Sequence, residues 1–315
     1  MRDRAFRRIL ALVESLPARQ RQALAAYLAM LDNKPAATEV IEQREQPPVC
    51  PHCQGTHIVR NGHSGGLQRY RCRSCGKTFN ALTGSPLAHL HLRGKWLQQA
   101  QALREQLSLT QVQQRLGIAR TTALRWRHRF LAAPKQIRAR WLTGVTEADE
   151  TFFLRSAKGQ RQALTRPARR RAGKASKPGV SRQQVPVLVV RDRSGQTADF
   201  ILEVHDSQHA ADQLRPIIAP DALLCTEGDH LMRATARKLA LEHHAVNLRV
   251  GIRVDGPWHV QNVNAYHSRL KGRMARFRGV STKYLDSYLG WFRTIDRAPD
   301  IMAKPTSLLA LAVGA

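Results

Sequence analysis

The chain has 315 residues, with 51 Lys and Arg against 23 Asp and Glu and a formal charge of +28. A balance this basic points to a polyanionic partner, nucleic acid first, while an apolar fraction of 43% is enough for ordinary cores and excludes a merely basic disordered tail. No run of about 18 apolar residues is present, and the N-terminal stretch, with its interspersed arginines and Pro17, does not read as a cleavable secretion signal; the expectation is a cytoplasmic, nucleoid-associated protein.

Residues 5–31 place apolar side chains at helical spacing and predict a helical hairpin broken near Pro17, within an N-terminal helical region 1–45. Residues 33–48, NKPAATEVIEQREQPP, read as a linker. Four of the five cysteines then form two Cys-x-x-Cys pairs, Cys50 with Cys53 and Cys72 with Cys75, with 18 residues between the pairs. That spacing matches a closed tetrahedral Zn2+ site, which would hold together a piece too short to bury its own core, a zinc ribbon over 48–80. The fifth, Cys225, lies in an apolar run and reads as a small buried residue.

Residues 107–130, LSLTQVQQRLGIARTTALRWRHRF, read as two short helices separated by a turn at Gly117, a helix-turn-helix within a DNA-binding segment 84–135. Thr110 is the expected cap of the first helix. The second, from about Ala119, carries Arg120, Thr121, Thr122, Arg125, Arg127 and Arg129; its first residues would meet base edges in a major groove and its later arginines phosphates.

From residue 144 onward strands alternate with helices, which argues a mixed α/β domain. The expected strands are 145–154, 184–192, 197–205, ALLCTEG and 245–250, with helices near 208–217 and 231–242 and a long basic helix from about 260. Between the first two strands, residues 155–182 hold ten Lys or Arg and no acid, including Arg169, Arg170, Arg171 and Lys174; such a segment suits DNA phosphates.

Phosphoryl transfer on DNA needs divalent cations, Mg2+ or Mn2+, held by oxygen ligands. Asp149 is the first candidate, with Glu147 and Glu150 as alternatives; strict alternation puts Asp149 and Glu147 on one face and Glu150 on the other. Glu227 and Asp229, flanking Gly228, are the second candidate. No glutamate follows Glu242, the acids beyond it are Asp255, Asp286, Asp296 and Asp300, and residues 261–279 carry none, so a three-carboxylate set fails on that helix and a neutral asparagine oxygen could complete the shell.

EADETFF, RPARRRAGKASKPGVS, VPVLVVRDRSG and above all HVQNVNAYHSRLKGRMARFRGVSTKYLDSYLGWFR (259–293) resemble the insertion-sequence transposases of the ISXO type, over roughly residues 48–295. The resemblance implies a zinc ribbon followed by an RNase H-like catalytic domain at 141–296; with the elements read above, the expectation is a multidomain α+β chain of N-terminal helices, zinc ribbon, helix-turn-helix and catalytic domain, followed by a tail at 297–315. It also implies an Asp-Asp-Asn-Lys variant of the DDE set, with Asp149 as first ligand, Asn264 in the third position and Lys271 in the lysine position, where it would hold a DNA phosphate. The family's second aspartate corresponds here to Glu227. Three arrangements follow: Glu227 ligates after some rearrangement, Asp229 substitutes for it, or this copy is impaired.

The implied function is a DNA transposase that binds terminal inverted repeats and cuts and joins strands with divalent metal. The partner would be double-stranded DNA, at transposon ends and target, and the working form a homodimer or higher oligomer. The alternative is a catalytically impaired, transposase-derived DNA-binding protein or regulator.

Overall fold

The computed structural model describes residues 3–43, 49–159, 173, 175, 181–246 and 254–314. They form two compact units, Met1–Ala133 with Asp300–Ala315, and Pro134–Pro299.

The first unit opens with α1 (Asp3–Ser15) and α2 (Ala18–Glu42), and α2 starts directly after Pro17. The linker expected from residue 33 is instead helical as far as Glu42, with Pro35 inside the helix. Ala37 and Ile41, one turn apart, are fully buried and anchor this half of α2, so packing outweighs the amide hydrogen bond that proline removes. The other half is different. Phe6, Ile9 and Leu10 of α1 and Tyr27, Leu28 and Leu31 of α2 follow the i, i+3, i+4 spacing of amphipathic helices, yet all six are exposed.

A three-stranded antiparallel sheet follows, β1 (Ile58–Ser64), β2 (Leu67–Cys72) and β3 (Thr78–Phe79). Its small core is Cys50, Cys72 and Phe79, with Tyr70 stacked on Phe79 at 5.6 Å. Next come α3 (Trp96–Arg104), α4 (Leu109–Leu116) and α5 (Arg120–Phe130), and the short α6 (Ala132–Gln136) runs across the boundary at Pro134. Ser108, not Thr110, caps α4: its hydroxyl accepts from the Gln111 amide while the Gln111 side chain accepts from the Ser108 amide, a reciprocal box. Gly117 ends α4 in the left-handed conformation, as the turn requires.

The second unit is built on a five-stranded sheet of β4 (Val145–Leu154), β5 (Gln184–Asp192), β6 (Thr197–Ile201), β7 (Leu223–Thr226) and β8 (Glu242–Ala245), in the order β6-β5-β4-β7-β8. Strands β4, β7 and β8 are parallel, and β5 and β6 run antiparallel to their neighbours. Its helices are α7 (Ser207–Leu214), α8 (His230–Leu239), α9 (Gln261–Ala275) and α10 (Leu285–Arg297). The last strand was expected at 245–250 but pairs at 242–245, because α8 stops early at Ala240, which takes a left-handed conformation; residues 247–250 lie outside the described ones.

Alternate residues along the strands serve two cores. Ala148, Leu188, Val190 and Leu224 pack with Ala210, Leu214, Met232 and Ala236 of α7 and α8. Val187, Val189 and Cys225 face Val263, Tyr266, Leu270, Leu289 and Phe292 of α9 and α10. The second core is locked by a buried set in which Arg293 and Tyr266 both donate to Asp199. The chain then enters the first unit again with α11 (Pro299–Ala303) and α12 (Pro305–Val313). Leu308, Leu309, Ala312 and Val313 are fully buried, α12 lies against α2, α3 and α5, and Arg104 donates to the carbonyls of Met302 and Ala303. Among the described residues no helix is long and apolar enough to cross a membrane.

Candidate active site and cysteine centre

Strand parity decides what Asp149 can meet. Glu147 pairs in parallel with Cys225, so residue 227 falls level with Asp149 although β7 itself stops at Thr226. Cys225 belongs to the core beneath α9, and by period two Glu227 inherits that side of the sheet. Beyond it the chain turns sharply: Gly228 has φ +78°, its amide donates to Thr226 Oγ1 (3.0 Å), and its carbonyl accepts from Arg233 Nε (2.6 Å). Asp229 then caps α8, accepting from the Met232 amide at 3.1 Å.

Asp149, Glu227 and Asn264, from three separate elements, converge. Burial, and next the charge of Asp149, push the Glu227 carboxyl above its usual range; a hydrogen bond from the Asn264 side chain opposes this, Asp229 adds to it, and His267 opposes it. His267, one helical turn beyond Asn264, places Nδ1 3.4 Å from Asp149 Oδ2. Lys271 is exposed on the same face of α9, seven residues and so about 10 Å beyond Asn264.

The two alternative acids of β4 have other tasks. Glu147 is fully buried: Oε1 accepts from Asn262 Nδ2 (2.8 Å) and pairs with Arg193 (2.9 Å), and Oε2 accepts from the Val263 amide (2.9 Å). It therefore caps α9 from the neighbouring strand. Glu150 lies on the opposite side, 2.7 Å from His205 Nε2. Burial raises its pKa; the His205 hydrogen bond and charge oppose that, and the charges of Asp229 and Asp149 reinforce it.

Sequence reasoning missed His267 and the capping role of Glu147. The first had a signal, since a histidine three residues after Asn264 and four before Lys271 must share their face. The second had none, because it depends on a contact 116 residues away in the chain.

At the cysteine cluster, Cys50 Sγ and Cys75 Sγ are 3.7 Å apart and Cys53 Sγ and Cys72 Sγ 3.6 Å. All four sulfurs lie within 4.8 Å of one another. These separations rule out disulfides, and they match the edge of about 3.8 Å of a tetrahedron with Zn–S bonds of about 2.3 Å. Each pair sits on a matching turn, with Cys50 accepting from the Gln54 amide and Cys72 from the Gly76 amide, both at 2.9 Å. The donor set fits zinc.

On α5, Arg120, Thr121, Arg125 and Arg129 are exposed and Thr122 is half-buried. Arg127 is the exception: it is buried, donating to the Leu107 carbonyl, and is corrected here from a DNA contact to a core residue. It falls on the same helical face as Ala123, Trp126 and Phe130, which packs inward. Arg169, Arg170, Arg171 and Lys174 lie outside the described residues.

Residues 141–293 match the ISXO2-like transposase domain. Over 269 residues the chain is 27% identical to an uncharacterized protein in transposable element ISH50 of Halobacterium salinarum, covering 82% of this chain and 90% of that one. A shorter stretch of 58 residues is 40% identical to large ribosomal subunit protein eL43 of Nanoarchaeum equitans, covering 18% of this chain and 62% of the relative. Among solved structures, the Mos1 transposase paired-end complex aligns over 67% of this chain and 77% of its own at 15% identity, with a TM-score of 0.25, too low to support any conclusion. The domain match and the insertion-element relative make this chain similar to the ISXO2-like transposases over residues 141–293 and, at lower identity, to an insertion-element protein over most of its length.

Proposed function

We propose that the protein is a DNA transposase that binds the terminal inverted repeats of its element and catalyses metal-dependent strand cleavage and strand transfer. The observation that carries this reading is the convergence of Asp149, Glu227 and Asn264 from β4, the end of β7 and α9. Two carboxylates brought together, one with its pKa raised by burial and then by the other's charge, gain from a divalent cation between them, and oxygen donors of this kind suit Mg2+ or Mn2+. When bound, the cation would activate the attacking hydroxyl and stabilise the leaving oxygen. Asp149 and Glu227 would hold it, Asn264 would supply a neutral oxygen, and Lys271 would orient a DNA phosphate. Of the three arrangements open at the second acid, the contacts favour Glu227, since Asp229 is committed to capping α8.

The sheet order, with three parallel strands, two antiparallel ones and helices on both faces, supports an RNase H-like domain over 141–296. Helices α4 and α5 support a helix-turn-helix in 84–135 whose Arg120, Thr121, Arg125 and Arg129 face double-stranded DNA, and the cysteine cluster supports a zinc ribbon over 48–80. Joining two ends requires at least two copies, and the exposed apolar stripes of α1 and α2 are suited to contact between them.

The test is cleavage and joining of labelled terminal-repeat DNA by the purified full chain with Mg2+ or Mn2+. Products are expected, and Asp149→Ala should abolish them. Well-folded protein giving no metal-dependent product overturns the reading.

A further inference from the structure

His267 stands between the two α9 residues already assigned, three after Asn264 and four before Lys271, yet nothing so far gives it a task. Its side chain is only 7% exposed, and its Nδ1 is 3.4 Å from Asp149 Oδ2. A neutral imidazole has one nitrogen that donates and one that accepts. The nitrogen facing a carboxylate must be the protonated one, since two lone pairs would repel; Nε2 is then left to accept. That Nε2 is buried and has no hydrogen-bond partner among the described residues. A histidine kept for packing alone is a poor choice here, because an apolar residue of similar volume would fill the space without an orphaned nitrogen. The ring's polar contact is with Asp149.

Asp149 needs such a contact. Its side chain is partly exposed, and on its own strand the neighbouring acids are engaged elsewhere, Glu147 at the start of α9 and Glu150 with His205. The cross-strand partner of Asp149 is Val189, which offers no side-chain donor. An isolated carboxylate at this position can rotate, and a donor from α9 restricts it.

We infer that His267 is the positioning residue for Asp149, its Nδ1–H holding that carboxylate in the orientation that takes a divalent cation. The inference rests on the reading of Asp149 as a metal ligand. Removing partners that orient metal ligands typically costs about 10–100-fold in metal affinity.

The experiment measures Mn2+ and Mg2+ binding by titration calorimetry on the full, zinc-loaded chain, for wild type and for His267→Ala, His267→Asn, His267→Gln and Asp149→Asn. The amide nitrogen of asparagine takes nearly the place of Nδ1, and that of glutamine nearly the place of Nε2. Mn2+ affinity should fall about 10–100-fold in His267→Ala, recover most of that loss in His267→Asn, and stay low in His267→Gln, with the preference for Mn2+ over Mg2+ unchanged throughout. Unaltered affinity in His267→Ala overturns the inference. So does asparagine that rescues no better than glutamine, which would leave the ring a packing role, or a Mn2+ preference that collapses in His267→Asn, which would make the ring nitrogen itself a ligand. Asp149→Asn separates the two levels: wild-type binding there removes the proposed metal site itself, whereas lost binding there with intact binding in His267→Ala removes the positioning role alone.

Discussion

Gly228 separates the two acids Glu227 and Asp229, and the structure gives two independent reasons why it must be glycine. Its φ of +78° lies in the left-handed region, where a side chain costs about 1–2 kcal/mol. A Cβ added there would stand 2.8 Å from the Cβ of Ala245 on β8 and 3.1 Å from Arg233 Nη2. Arg233 can swing aside; Ala245 is fixed in the sheet, and overpacking of this kind costs about 1–3 kcal/mol. Gly228→Ala should therefore destabilise the second unit by about 2–5 kcal/mol and weaken Mn2+ binding by displacing Glu227. Ala245→Gly on its own should cost about 0.5–1 kcal/mol, yet in the double variant it should recover the overpacking part and leave the backbone part plus that small cost. Calorimetric unfolding of the four proteins closes the cycle, with an expected favourable coupling of about 1–3 kcal/mol. Gly228→Ala within about 0.5 kcal/mol of wild type would refute both the turn geometry and its contact with β8, and a cycle with no coupling would refute the contact.

Glu227→Asp shortens the one side chain that spans from the end of β7 to Asn264, and a displacement of about an ångström should lower the cleavage rate by up to about a hundredfold; a faster variant would mean that the natural chain is the impaired one. Chelation of zinc should unfold the cysteine-bearing sheet while α7–α10 and their strands persist, seen as selective loss of amide protection in β1–β3 by hydrogen exchange; uniform protection would rule out a structural metal. Glu150 has a raised pKa, chiefly from burial, so the stability it contributes is present below its ordinary value of 4.5 and lost as pH rises through the folded-state value. Glu150→Gln should accordingly raise the unfolding temperature at pH 7 but not at pH 4, and an equal effect at both would contradict the burial.

Much of this was legible in the sequence wherever the signal is local. The Cys-x-x-Cys pairs announce their turns, β4 and β5 appear with their observed ends, and Gly117 marks the break between α4 and α5. The reading failed where packing overrules local preference. Pro35 and the polar residues around it look like a linker, but Ala37 and Ile41 bury themselves and draw the helix on to Glu42. Arg127 looks like one of a row of DNA-facing arginines, and only the helical phase set by Trp126 and Phe130 shows that it points inward. At the site, the chemistry of metal-binding carboxylates put forward Asp149 and the pair Glu227 and Asp229, while the choice among the alternatives and the assignment of Asn264 came from the family pattern. No rule of spacing brings together residues separated by 78 and 37 positions, and what does so is the parallel register of β4 with β7 and the packing of α9 on that sheet face.

The placement of α9 explains why Glu147 is spent on a cap. Helix α9 has no side-chain cap at its N-cap position, where Val260 stands; the exposed Gln261 amide donates to His259 Nδ1, and the buried Val263 amide needs a partner of its own. Glu147 answers from β4, taking the Val263 amide on one oxygen and the Asn262 side chain on the other, while Arg193 balances its charge. A carboxylate at a helix N-terminus is also favoured by the helix dipole. Val263 immediately precedes Asn264, and Glu147 lies two residues before Asp149 on the same face of the same strand. One buried side chain thus ties the backbone position that carries Asn264 to the strand that carries Asp149. Residues contributed by two elements far apart in sequence can be held to the tolerance that metal coordination demands only if those elements are joined close to the site, and at Glu147 the join is two residues away.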